Sequence, residues 1–263
     1  MKKIITAILI FVLTFSFAVT CAATERKPLE DCVVTFSKDY TYTGKGITPV
    51  PKVTYKKKKL TKDVDYTIYY KDNVNVGTAT VTLVGIGAYK GSTTGNFKIK
   101  KGKQVIKAND INATYGDGPA YASVMCSNPV TYKSSNTDVC TVNEIGSVTF
   151  VNTGKAKITI KAAGNGNVYE AKKVINVTVA KAKTSLSAFG GYVNRGAAHN
   201  LNAATSSGGK LTYKSSNKKI ATVSKSGIVS AKRIGNVVIT VKSAETRNYK
   251  AATKKVEVEV IKP

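Results

Sequence analysis

Apolar and polar residues alternate with period two along most of this chain. Ala156, Ile158 and Ile160 alternate with Lys157 and Thr159, Val237, Ile239 and Val241 with Val238 and Thr240, and Val256, Val258 and Val260 with Glu257 and Glu259. Successive side chains on a strand point to opposite faces, so each run is predicted to be a strand with one buried face. Turn chemistry separates the runs: NTG at Asn152, NEIG at Asn143, KSG at Lys225, SSGG at Ser206 and the GNGN run at Gly164. Beyond the first residues, no window carries an apolar stripe at helical spacing with a cap at each end. Many short strands joined by glycine and asparagine turns predict an all-β protein of sandwiches rather than βαβ units.

The pattern is also repeated. Tyr132 to Ile160 and Tyr213 to Val241 align without a gap, with 12 identities in 29 positions. A repeat of that length specifies a module, and a chain of 263 residues holds two to three of them. An earlier segment has its own alternation, with Val64, Tyr66, Ile68 and Tyr70 in one run and Ala79, Val81 and Leu83 in the next. The lysine-rich joints KIKKGKQ, around Lys100, and VAKAKT, around Lys181, divide the chain into modules at 24–101, 102–181 and 182–263. Neither joint has a proline or a glycine-serine tract, which predicts a row of modules with restricted hinge motion.

The first residues, MKKIITAILIFVLTFSFAVTCAA, have two lysines, an apolar run from Ile4 to Val19 and small residues at Cys21, Ala22 and Ala23. They read as a cleaved secretory signal peptide over 1–23, too short in its apolar run for a spanning helix. Lipidation at Cys21 is the competing reading, although Ala18 and Thr20 stand where a lipobox has Leu and a small residue. No further run of spanning length follows, so the mature chain is expected to lie outside the membrane. It ends in VEVEVIKP without an LPxTG sorting signal. Any surface attachment is then expected through charge, a lipid or a partner.

The formal charge is +26, and removal of Lys2 and Lys3 with the leader leaves +24. Such a chain is attracted to polyanions, and outside the cell the first of these are anionic cell-wall polymers and host glycans or proteins. Nucleic acid is not the expected partner. Lysines are dispersed along strands and the arginines are only Arg26, Arg195, Arg233 and Arg247, whereas base and phosphate recognition favours clustered bidentate Arg. The run Lys56, Lys57, Lys58 and Lys59 is a candidate polyanion contact, or else a solvated hairpin. Tyr66, Tyr69, Tyr70 and Tyr89 could stack on sugar rings, and alternation makes Tyr69 the exposed member.

Chemistry is sparse. His199 stands alone, with no nucleophile elbow or metal-ligand spacing around it, so no catalytic residue, metal or cofactor is assigned. Asp63 and Asp65 flank Val64, which on a strand would put both carboxylates on one face, as a metal or glycosidase pair requires, or simply on the solvent face of a strand whose Val64 points inward. Asp110 and Asp117 could lie at a module joint where a calcium ion would stiffen the row, but they lack the loop spacing of a calcium site. Mature cysteines are Cys32, Cys126 and Cys140, an odd number. Cys126 and Cys140 fall in one module and could form a disulfide. Alternatively Cys140 is a small core residue, since the second copy has Ala221 there.

The repeated residues carry a resemblance. Tyr132 to Asn136, Cys140 to Val142, Gly146, Val148, Gly154 and Ile158 form a pattern that returns at Tyr213 to Asn217, Ala221 to Val223, Gly227, Val229, Gly235 and Ile239. It resembles the bacterial Ig-like group 2 (BIG2) family, in a variant with Tyr where Trp is common. Both copies add an asparagine element, NVYEA ending at Ala171 and NYKAA ending at Ala252. The first module, with YTGKGITPVPKVTY and DYTIYYKDNVNVGTATVTLVGIGAYKG, is similar to another Ig-like repeat of Gram-positive surface proteins. The resemblance implies three tandem Ig-like β-sandwich modules in a secreted, non-enzymatic surface or wall-associated protein that acts in adhesion or as a spacer. The alternative is a polysaccharide-binding protein using exposed tyrosines and lysines.

Overall fold

The computed structural model describes residues 25–263, so the leader and Cys21 lie outside the described residues. Among the described residues there is no α-helix, only a short helical turn at Leu29–Asp31, and hence no helix long and apolar enough to cross a membrane. The chain divides into two compact units, one ending at Lys100 and the other running from Lys101 to Pro263. The architecture is all-β, of tandem Ig-like sandwiches. The first unit has one hydrophobic core and the second has two.

Each sandwich sets a four-stranded sheet against a three-stranded one. In the first unit a four-stranded sheet, ordered Tyr40–Thr41, Ser92–Lys100, Gly77–Gly85 and Tyr66–Lys71, faces a three-stranded sheet of Cys32–Thr35, Lys52–Tyr55 and Lys58–Lys59. In the second unit the first sandwich orders its larger sheet Ile111–Thr114, Ala171–Ala180, Gly154–Ala162 and Val130–Ser134. Its smaller sheet is Ala120–Tyr121, Ser147–Phe150 and Cys140–Val142. The last sandwich repeats this with Gly191–Asn194, Ala252–Ile261, Gly235–Ser243 and Leu211–Ser215 against Ala198–Asn200, Ile228–Ala231 and Ala221–Val223. In every larger sheet the first strand is parallel to the last, with Tyr40 opposite Ile99, Ile111 opposite Val177 and Gly191 opposite Val258. A module so closed has its entrance at one end and its exit at the other.

The period-two pattern becomes burial directly. Ile158, Ile160, Ile175 and Val177 are wholly enclosed, as are Ile239, Val241 and Val258 in the copy. Burying such side chains contributes roughly 1.5–3 kcal/mol each, against about 0–1 kcal/mol for an exposed ion pair, so the cores hold the modules and the surface lysines do not.

The shared Tyr-Lys-Ser-Ser-Asn run also has a physical reason. The first serine caps a turn: Asn136 N–H donates to Ser134 Oγ (3.2 Å) and Asn217 N–H to Ser215 Oγ (3.3 Å). The second serine reaches the neighbouring strand, accepting from Lys157 N–H at 2.8 Å and, in the copy, Ser216 from Val238 N–H at 3.0 Å. The asparagine closes an Asx turn on Asp138 N–H (3.1 Å) or Lys219 N–H (3.0 Å). The tyrosine crosses the sandwich onto a glycine with a left-handed backbone: a Cβ on Gly146 would stand 2.9 Å from the Tyr132 ring, and one on Gly227 3.0 Å from Tyr213. These glycines are therefore fixed twice, by conformation and by the ring above them.

The three thiols are free, and the bridge considered between Cys126 and Cys140 is not formed. Cys140 is wholly buried with its sulfur against Ser134 Oγ (3.7 Å), and Cys126 turns to Gln104 Oε1 (3.5 Å). The small-core-residue reading of Cys140 fits this, because Ala221 is equally buried in the copy. The Asp63–Val64–Asp65 expectation is corrected as well: Val64 is 62 % exposed and the segment is a turn, not a strand. Asp65 accepts from Thr61 N–H (2.8 Å) and Asp63, at φ 63°, pairs with Lys62 (2.8 Å), so local bonds override the alternation there.

Two substitutions test this packing. Gly227→Ala combines a left-handed alanine with an overpacked Tyr213 and is expected to cost about 2–4 kcal/mol in a denaturant melt of the last module. Tyr89→Phe should do the opposite. The Tyr89 hydroxyl is buried in the first core without a hydrogen-bond partner among the described residues, so its removal should be neutral or stabilising by up to about 1 kcal/mol.

Candidate functional site

The residues singled out from the sequence do not converge. Lys56 and Lys57 form the tip of a two-residue hairpin between Lys52–Tyr55 and Lys58–Lys59, with φ of 45° and 71°. Both positions of such a turn favour Asn or Gly, and lysine there holds a strained backbone. All four lysines are exposed, and Lys56 Nζ lies 5.4 Å from the centre of the Tyr55 ring. Tyr69 belongs to the other sheet of that sandwich. It is 62 % exposed on the outer face, directly across from Thr82, which in turn faces Thr94. Its neighbours divide as alternation predicts: Tyr66 and Tyr89 are in the core, while Tyr70 is half-buried and donates to the Pro49 carbonyl (2.9 Å).

The candidate chemical groups are held in structural bonds. His199 lies on an edge strand with Nε2 at 3.0 Å from the Phe189 carbonyl. Burial pushes the Cys140 and Cys32 thiols up, away from the nucleophilic thiolate. Asp117 accepts from Thr114 N–H (2.7 Å), and Asp110 accepts from both the Asn176 side chain (2.9 Å) and its backbone N–H (2.7 Å). Those bonds, side chain first, hold the Asp110 carboxyl below the usual range. Among the described residues no three His, Cys, Asp or Glu side chains gather as metal ligands would.

What does converge is the joint between the two sandwiches of the second unit. Lys181, just past the last strand of one sandwich, donates from Nζ to the Thr246 carbonyl (2.7 Å) and pairs with Glu245. Ala182 then lies along the asparagine element of the next: its N–H donates to the Asn248 carbonyl and its carbonyl accepts from Lys250 N–H, both at 2.9 Å. Asn248 reaches back across the joint. Its Oδ1 accepts from Thr153 N–H (3.0 Å) and its Nδ2 donates to Asn152 Oδ1 (2.9 Å). Thr153 Oγ1 donates to the Arg247 carbonyl (2.6 Å), and the Tyr115 and Tyr249 rings meet edge to face at 5.5 Å. The turn at Asn152 and the NYKAA element were visible in the sequence as turn and repeat. Their mutual contact was not, because 96 residues separate Asn152 from Asn248.

Comparison with known proteins gives one family match. A model of the intimin immunoglobulin-like domain matches residues 199–245, within the last sandwich. No curated protein matches the chain. Among solved structures, the chain is similar to the insect immune protein hemolin at 14 % identity, covering 88 % of this chain and 76 % of hemolin with a TM-score of 0.37. It is also similar to domains 1–6 of the surface-layer protein SbsC at 16 % identity, covering 89 % and 40 %, TM-score 0.33. Drosophila N-cadherin EC1–4 follows at 10 % identity, covering 84 % and 72 %, TM-score 0.31. The chain thus spans well under half of the S-layer protein it matches.

The Asp110 contact gives a pH prediction. Its folded pKa lies below the unfolded value, so the stability it contributes is present above the ordinary carboxylate pKa and is lost as pH falls through the folded pKa. Carbon-detected NMR titration should find Asp110 titrating lower than an ordinary Asp, and Asn176→Ala should move it back up. An Asp110 midpoint that does not respond to that substitution would show that the side-chain bond is not the cause.

Proposed function

We propose that this is a secreted, non-enzymatic protein of the cell surface or cell wall, whose modules act in adhesion or as a spacer. The observation that supports it most is the joint at Lys181. A surface stalk must present its modules in a set orientation, and side-chain bonds across a joint resist the hinge motion that a bare linker permits. The expected leader at 1–23, the intimin Ig-like match over 199–245 and the locally bonded state of His199 and the carboxylates agree with this reading. We assign the modules to 24–101, 102–181 and 182–263, the last two to the bacterial Ig-like group 2 and the first to a further Ig-like repeat.

A second reading, polysaccharide binding, draws on one observation: Tyr69 stands exposed on a sheet face whose cross-strand neighbours are Thr82 and Thr94. Stacking is screened by salt far less than ion pairing, so glycan binding that persists at high salt and disappears in Tyr69→Ala would favour it. Binding lost in high salt would instead implicate charge.

The stalk reading is tested at the joint and in the cell. Asn248→Ala removes two bonds across the joint and should accelerate tryptic cleavage at Lys181 and Lys183 roughly fivefold or more, with little change in the melting of either sandwich. An unchanged cleavage rate would mean that Asn248 does not fix the joint. Antibody against the mature chain should label intact producing cells or appear in their medium, and a purely intracellular signal would sink the surface reading.

A further inference from the structure

The outer face of the larger sheet in the 102–181 sandwich carries lysines that its fold does not require. Lys133, Lys155, Lys157, Lys161 and Lys172 are all exposed there, and none forms an ion pair with a described residue. Register brings them together on neighbouring strands: Lys161 is directly opposite Lys172, and Lys157 opposite Asn176. Like charges directly opposite one another destabilise a sheet, so Lys161 and Lys172 carry a cost that folding alone does not explain. These strands place no carboxylate on this face, and Asp110, just before the first of them, is held by Asn176.

The next sandwich serves as an internal control. At the positions of Lys155, Lys157 and Lys172 it has Asn236, Val238 and Thr253, and at those of Asn176 and Thr178 it has Glu257 and Glu259. The same sheet therefore folds without those three lysines and with two carboxylates. That face keeps Lys214, Lys242 and Lys255 beside its two carboxylates, so five lysines without a carboxylate on their face belong to one module and not to the architecture.

We propose that this face binds a linear polyphosphodiester of the cell envelope, of the alditol-phosphate kind. The inference rests on the extracellular reading above and names a partner for it. Three features select that chemistry. Lysine ammoniums are point charges that suit a phosphate monoanion, whereas bidentate carboxylate recognition favours arginine, and this face has none. It also has no aromatic side chain, which argues against stacked sugars or bases. Finally, the lysines stand on three adjacent strands, where same-face backbone positions lie about 6.7 Å apart along a strand and about 4.8 Å between strands, with Thr131, Thr159 and Thr178 as hydroxyl donors between them. A flexible chain with one phosphate per repeat can adapt to such a grid.

The test uses the mature chain and immobilised poly(glycerol phosphate) over a salt series. The triple variant Lys155→Asn, Lys157→Val, Lys172→Thr takes the residues that the neighbouring sandwich already tolerates. It should weaken binding by about tenfold or more and flatten the salt dependence. A control triple, Lys214→Thr, Lys242→Thr, Lys255→Thr, loses the same charge elsewhere and should weaken binding by less than about threefold. The reverse graft Asn236→Lys, Val238→Lys, Thr253→Lys should gain affinity, which keeps the test decisive if the first triple melts early. Equal losses from both triples, or no binding by the native chain at low salt, would overturn the proposal. Either result leaves the surface reading to its own protease and labelling tests.

Discussion

Each module depends on one long antiparallel pair. In the 102–181 sandwich, Gly154–Ala162 and Ala171–Ala180 face each other over nine rungs, and Gly235–Ser243 with Ala252–Ile261 repeats the arrangement. The inward side chains of this pair form the centre of the core, and the outward ones form the exposed sheet face. The turn before its first strand supplies Asn152 and Thr153 to the joint, and the loop between its strands supplies the element that grips the preceding linker. A register slip of one residue would exchange core and surface and displace both the turn at Asn152 and the loop that grips the incoming linker. Core, surface and connection are therefore constrained together.

The asparagine element holds the linker in the same way in both sandwiches of the second unit. Gly102 pairs with Val168 as Ala182 pairs with Tyr249, so in both sandwiches of the second unit the incoming linker adds a rung to the same loop. Bonded on both sides of one residue, the short linker becomes part of the fold and loses the freedom of a bare tether.

Much of the architecture was legible because its signals are local. Period-two alternation marked Ile158, Ile160, Val237 and Ile239 as inward, and the first serine and the asparagine of each Tyr-Lys-Ser-Ser-Asn run make bonds within a few residues. Alternation failed at Val64, where the Asp65 carboxylate takes the Thr61 amide and turns the chain. The joint and the lysine face were hidden for a different reason. Asn248 meets Asn152, and Lys161 meets Lys172, through pairings that depend on which strands become neighbours, and residue order alone does not state that. The run Lys56–Lys59 was conspicuous because it is contiguous, while lysines gathered by a sheet are scattered through the sequence.

The parallel pairing of first and last strands has a mechanical meaning. When a module's two ends are drawn apart, Ile111–Thr114 is pulled from its start and Ala171–Ala180 from its finish, in opposite directions along a shared axis. The rungs between them are loaded in shear, so they must rupture together instead of opening one after another as a zipper does. The same holds for Gly191–Asn194 beside Ala252–Ile261. Tension along the chain thus meets a latch at the edge of the sheet before it reaches the core.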